Sequence, residues 1–435
     1  MEFTLFILVN ATLFIRPAEV IPALTGLPIY NVLISVCLMA SFPKIIDQLT
    51  GRSLSESPIS ACVLGLLAAV ILSHLSHLNF SGLLEGGVEF VKVILYYLML
   101  VSVVDSPARL RRFLWLLVGF TLVLTVLALL QYHGMIDIPS LQSIGDIEVD
   151  PATGEEYSVL RLCSTGIYND PNDLCLILLV AMGVCLYGLG DRRTGPLRHL
   201  WLAPLVLFGY ALTKTHSRGG FLAMLAAMMV LFYARFGWRK AIPLAMVALP
   251  AAFVLFAGRQ TNISTSDDTG QDRIQLWAAG FALLRQSPLF GIGQNRYADK
   301  VGLVAHNSFI HGFTELGVFG GTLFTGIFSY ALSTLHRLGP SQALIPDPEL
   351  RRLRPYLMAI VAAYAAGLLT LSRNYIVPTY MVFGLVNVYL RLATEGSPLR
   401  LPRFDLGFVQ RLGTISVAFI ITAYVFIRMF ARFGG

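Results

Sequence analysis

Thirteen mostly apolar stretches, separated by polar turns, govern what this chain can fold into. They run near 3–15, 28–42, 59–75, 88–104, 113–131, 172–190, 199–213, 219–236, 240–257, 308–335, 356–372, 376–394 and 414–431. A helix needs ~20 such residues to cross a bilayer's hydrocarbon core. Backbone N–H and C=O groups find no water there, so each crossing must be helical. Composition agrees: 13% of the 435 residues are charged and the mean hydropathy is +0.70, against about 25% charged in a soluble domain. The sequence therefore predicts an all-α, polytopic membrane protein with about 12–13 transmembrane helices in one domain, 1–435. The first stretch is short and Pro17, Pro22 and Pro28 precede or open the second; one stretch can thus be re-entrant. The long stretch 308–335 is expected to tilt or extend beyond the lipid. The N-terminus lacks a basic region and a small-residue cleavage site, so it reads as the first span.

Orientation follows from Lys and Arg. Alternate loops beginning with 43–58 carry nineteen of the thirty-two, and the opposite side twelve. The positive-inside rule puts the N-terminus and the richer loops in the cytoplasm. Loops 132–171 and 258–307 then face outward, to the periplasm in a bacterium with an inner membrane. The +7 charge is scattered over many short loops, which argues against nucleic acid.

Five of the twelve outward cations crowd into 258–307: Arg259, Arg273, Arg285, Arg296 and Lys300. Lys214 and Arg218 close another outer turn. Cations kept against the topological trend point to an anionic ligand; headgroup snorkelling is the plainer alternative. Loop 132–171 is acidic, with Asp137, Asp146, Glu148, Asp150, Glu155 and Glu156, and Arg161 near its end. It reads as a solvated cap, since 150–156 lacks the alternating oxygens of a calcium loop. Residues 271–287 read as an amphipathic helix, with Ile274, Trp277, Phe281 and Leu284 at helical spacing and Pro288 closing it. Its expected place is flat on the outer membrane surface. Arg273 and Trp277, four apart, share a face.

Cys37, Cys62, Cys175 and Cys185 fall in apolar stretches and only Cys163 in a polar loop, so no disulfide framework or zinc spacing exists. His74 and His77 have too few companions for a metal site. Lys92 lies inside a stretch and needs a partner, Glu89 or Glu85. Asn169 and Asn172 read as caps of the helix after Pro171.

His306 and Asn307 stand where loop 258–307 meets the stretch 308–335. An imidazole there can exchange a proton near neutral pH, beside fixed positive charge. Arg218-x-x-x-Leu222, then His306-Asn307, then Gly317-x-x-Gly320 resemble the motif pair of bacterial O-antigen ligases. Arg273 with Trp277, the Pro288-x-x-Gly-x-Gly293 turn, and Gly166 with Asn169-Asp-Pro-Asn172 also resemble that superfamily, which includes O-antigen polymerases and protein O-oligosaccharyltransferases. The resemblance covers about 160–320. It implies a metal-independent membrane glycosyltransferase of C-type helical fold, needing no cofactor. The donor would be a glycan on undecaprenyl pyrophosphate, and the acceptor a saccharide such as lipid A-core in lipopolysaccharide biosynthesis. His306 would be the base for the attacking hydroxyl. Arg218 and Arg273, with Arg296, would hold the pyrophosphate. Asn307, Trp277, Lys214, Arg161, Gly317 and Gly320 would support them. A single displacement would invert the anomeric centre.

Each residue has a plainer reading. His306 can be an interfacial structural residue, and Arg218 can snorkel. His311 and Glu315 can form an internal pair. Gly317 and Gly320 can permit close helix packing. Three functions compete: a ligase; a polymerase whose acceptor is another lipid-linked repeat; and a transporter of lipid-linked glycan, which would want mid-membrane charges and paired broken helices.

Overall fold

The computed structural model describes residues 1–141, 143–149, 156–256 and 268–431. The thirteen apolar stretches all become helices. In chain order the helices begin with α1 (Glu2–Ile15), α2 (Pro17–Val20), α3 (Ile29–Gln48), α4 (Gly51–Glu56), α5 (Pro58–Leu75) and α6 (Phe80–Val103). They continue with α7 (Pro107–Tyr132), α8 (Pro171–Leu189), α9 (Leu202–Lys214), α10 (Arg218–Phe236), α11 (Trp238–Leu255) and α12 (Asp268–Gln286). The last are α13 (Tyr297–Val301), α14 (Ser308–Arg337), α15 (Pro348–Leu368), α16 (Val377–Thr394) and α17 (Leu406–Phe430). Among the described residues, nine stretches are long and apolar enough to cross a membrane. The protein is an all-α, multi-pass membrane protein.

The chain divides into two compact units. One comprises Met1–Ser41, Ser106–Asn262 and Arg352–Tyr364; the other comprises Phe42–Asp105, Ile263–Arg351 and Ala365–Gly435. In the first, α1 packs on α7, and α8 on α7, α9 and α10. Phe6 stacks on Phe113 at 5.7 Å. Loop 132–171 holds a hairpin that its acidic composition does not announce. Strands β1 (Ile144–Val149) and β2 (Glu156–Arg161) pair antiparallel, Ile144 opposite Arg161. The segment weighed for calcium lies, apart from Glu156, outside the described residues, as does Arg259.

In the second unit α14 is central, packing on α5, α12 and α17 while α6 pairs with α5 and α16. Gly320 fits the packing expectation: a Cβ there would sit 3.1 Å from that of Ala69 on α5. Gly317 does not. It takes φ +66 and ψ −169, which breaks α14 after Leu316. The expected long, tilted span is therefore a buried nine-residue half-helix followed by a helix of ordinary spanning length. The amphipathic helix forms as α12, but its apolar face is covered by protein rather than lying on the membrane. Ile274 and Phe281 join Ile310 and Ile427 in one core cluster, with Trp277 and Phe426 packed against it. Lys92 finds its partner in Glu89 at 2.5 Å, although both side chains stay exposed at the protein surface.

Candidate functional site

The half-helix owes its geometry to the glycine-rich turn before it. Where Gly317 opens the helix, the 288–293 turn supplies the missing partners. Ile292 N–H donates to the Thr314 carbonyl at 3.1 Å and Gly293 N–H to that of Glu315 at 3.1 Å. In return Val318 N–H donates to the Pro288 carbonyl at 2.8 Å and Phe319 N–H to that of Leu289 at 3.2 Å. Broken helix backbone inside a membrane protein is tolerated where protein re-satisfies it in this way. The exchange demands two glycines in the left-handed region. A Cβ on Gly291 (φ +71) would lie 2.3 Å from the Glu315 carbonyl, and one on Gly317 would lie 2.3 Å from that of Leu289.

The entrance of the half-helix is held as tightly. Asn307 is its N-cap, with Oδ1 accepting from Phe309 N–H at 3.0 Å and Ile310 N–H at 3.1 Å. Such a cap contributes about 1 kcal/mol. His306, half-buried, precedes it at φ +49, a conformation uncommon outside glycine. Two arms brace this turn. On one side the Trp277 indole donates to the Ala305 carbonyl at 2.8 Å, which ties the residue before His306 to the helix face that carries Arg273. On the other, Ser308 Oγ donates to the Leu371 carbonyl at 2.6 Å and accepts from Arg373 N–H at 2.9 Å. Asn374 Nδ2 completes that arm by donating to the Ser308 carbonyl at 2.8 Å.

Below the entrance, Glu315 is fully buried. It accepts from His311 Nε2 at 3.1 Å, the Tyr375 hydroxyl at 2.9 Å and Tyr297 N–H at 3.0 Å. His311 stacks on Tyr297 with centroids 5.2 Å apart. The pair is thus internal, and it anchors the turn to the half-helix. Burial and the nearby Glu315 carboxylate push the Tyr297 phenol up, so it acts here as a neutral donor, to the Leu276 carbonyl at 2.5 Å. Arg296 forms a half-exposed ion pair with Asp299 at 3.2 Å.

Arg218, Lys214 and Arg161 belong to the first unit. Arg218 is the first residue of α10, whose N-cap is Ser217. The Ser217 hydroxyl accepts from Gly220 N–H at 3.0 Å and donates to Asn172 Oδ1 at 2.6 Å. Arg161 braces the same turn. Its guanidinium donates to the Thr215 carbonyl at 3.1 Å, to Asn172 Oδ1 at 3.3 Å and to Asp146 at 3.1 Å. Asn172 is thus a junction and not the expected cap. Asp170 caps α8, its carboxylate accepting from Asn172 N–H at 2.7 Å; neither Asn169 nor Asn172 does so, because the residue immediately before Pro171 holds the N-cap position. Lys214 lies over the Tyr210 ring at 5.3 Å.

Of the residues singled out in the sequence, the second unit therefore brings Asn307 and Trp277 onto the turn that carries His306, with Arg273 one helical turn from Trp277 on α12. Arg373, whose N–H meets Ser308, is a cation at this turn that the sequence pattern did not single out, although the positive-inside count assigns it to the outer side, in a short turn between two apolar stretches. Among the described residues no group of three or more His, Cys, Asp and Glu can hold a metal ion.

Residues 203–325 match the family model described as O-antigen ligase (Wzy_C). The match includes Lys214, Arg218, Arg273, Trp277, Arg296, His306, Asn307, Gly317 and Gly320; Arg161 and Arg373 fall outside it. No curated protein matches the chain.

Proposed function

We propose that this chain, a membrane protein of the O-antigen ligase/polymerase superfamily by its residues 203–325, moves a glycan from undecaprenyl pyrophosphate onto a saccharide acceptor, lipid A-core or another surface glycan. The supporting observation is the braced turn at 305–308. It offers an imidazole at the mouth of a rigid half-helix, with one arginine-bearing helix bonded to the residue before it and a second arginine's backbone bonded to the residue that opens the half-helix. In this reading His306 takes the proton of the acceptor hydroxyl as its oxygen attacks the anomeric carbon. The bond from that carbon to the pyrophosphate oxygen breaks, with inversion. The departing diphosphate gains negative charge, which Arg273 stabilises through paired N–H donors, with Arg373 as a second cation of the same unit; Arg218, in the other unit, is proposed separately to bind donor. Arg296, ion-paired with Asp299, is the remaining candidate. The site faces the periplasm from the inner membrane, with the N-terminus cytoplasmic.

Reconstitution with lipid-linked glycan and candidate acceptors tests this. His306→Ala should abolish transfer, a loss of about 100-fold or more, while donor binding survives; full activity in that variant would remove the base. Arg218→Ala should weaken donor binding, and Arg218→Lys should restore it only in part because the planar fork is lost. Glycan on a different acceptor identifies a ligase, and a ladder of lipid-linked chains identifies a polymerase. Movement of lipid-linked glycan across the bilayer without a new glycosidic bond would replace both with a transporter.

A further inference from the structure

The turn that joins the first two apolar helices, α1 and α3, borders a half-open cavity of about 310 Å³ lined by Leu13, Arg16, Ala18, Glu19, Leu27 and Tyr30 among others. That size lies at the lower end of small-molecule pockets, ~300–1,000 Å³. The cavity belongs wholly to the first unit and shares no residue with the turn at His306.

Its polar end is built. Arg16 ends α1 at φ +48, a strained conformation that persists only where surroundings over-determine it. Those surroundings converge on Glu19. Its Oε1 accepts from Arg16 Nη1 at 2.7 Å, its Oε2 from Gly166 N–H at 3.0 Å, and its carbonyl from Ser140 Oγ at 2.8 Å. Gly166 takes φ +59, where a side chain is strained, and a Cβ there would lie 2.3 Å from Arg16 Nε, so any side chain would have to displace the guanidinium. Glycan transfer assigns nothing to Gly166 itself, yet here that glycine has a role. It leaves room for the guanidinium to lie across the chain, where Glu19 holds it. Among the described residues, the bond to Glu19 is that guanidinium's one hydrogen bond.

The apolar end lies beside exposed apolar protein surface. Ile21, Leu27 and Val32 are about half exposed on the protein surface, and in a membrane-crossing chain such side chains meet acyl chains. An apolar wall therefore meets a preset arginine at the end of a membrane helix. Glu19 offsets the charge of Arg16, so bare anion attraction is not the selecting force. What remains is a fork of N–H donors that suits a phosphodiester, beside a carboxylate that tolerates a zwitterionic head.

We propose that this cavity binds a phospholipid, with its phosphodiester on Arg16 and the start of an acyl chain against Leu13, Ala18 and Leu27. The test is retention of added lipid by the purified, detergent-solubilised protein, read by native mass spectrometry. The probes are phosphatidylglycerol, phosphatidylethanolamine, diacylglycerol and glycerol phosphate. Both phospholipids should be retained. Ala18→Trp, which fills the cavity, should weaken retention about tenfold, and Arg16→Lys severalfold. Where the Trp variant fails to fold, Ala18→Leu takes its place. Diacylglycerol held as well as the phospholipids would overturn the headgroup role, and competition by glycerol phosphate would make this a free-phosphate site. Unchanged retention in the filled variant would overturn the location. His306→Ala should leave retention intact, which separates failure here from failure of the glycan-transfer reading.

Discussion

The two stretches that carry the proposed site residues are held by different kinds of bond. At the far end of the half-helix that follows His306 the backbone does the holding: the 288–293 turn and the opened helix exchange four main-chain hydrogen bonds across two glycines. Around Arg218 side chains do it: Arg161, Asn172 and Ser217 converge on one turn. A main-chain lock is all or nothing, because an added Cβ meets backbone that cannot move aside. A side-chain brace is graded, because another polar residue can recover part of it.

The largest effect should come from the lock. Gly317→Ala and Gly291→Ala each force a side chain into a left-handed position against a carbonyl, and each should cost more than about 3 kcal/mol. Thermal unfolding in detergent measures this, and a wild-type midpoint in either variant would break the contrast. The brace should give less. Arg161→Ala removes three bonds from a partly buried guanidinium and should cost about 2–3 kcal/mol, with Arg161→Gln recovering some of it. Adding Asn172→Ala should fall short of additivity, since the two side chains share a bond; strict additivity in denaturant titrations would mean they act separately.

The smallest effect concerns reactivity beside that brace. Cys163 is buried, and burial pushes its thiol up to about 11. At about pH 8, below even the ordinary thiol value, its thiolate is then scarce, so maleimide should label it slowly in the folded protein and quickly once unfolded. Rapid labelling of the native protein would show that the β2 end of the brace opens.

Much of the architecture was legible because hydropathy acts locally. Each apolar stretch must be a helix wherever it meets lipid, whatever its neighbours do. Asn307 was placed at the start of its apolar stretch for a similar reason, but its part as the cap emerged only with the structure. The break at Gly317 was not legible. Glycine also serves close packing, as Gly320 does, and only the arrival of the 288–293 turn distinguishes the two uses. Asp170 outcompeted both asparagines as a cap through geometry that composition does not carry. The apolar face of α12 fitted a membrane surface as well as a protein one, because spacing records that a face is covered and not by what.

The sequence alone determined a many-helix membrane protein and the places of its apolar helices, and it nominated His306, Arg218 and Arg273 for the proposed chemistry. These follow from transfer energetics and side-chain chemistry, which are properties of residues one at a time. The tertiary structure decided that α14 is two helices, that Trp277 and the 371–374 segment brace the turn at His306, and that Arg161 supports the turn at Arg218. Those are pairings between residues far apart in the chain, and such a pairing exists only once folding has brought donor and acceptor within reach.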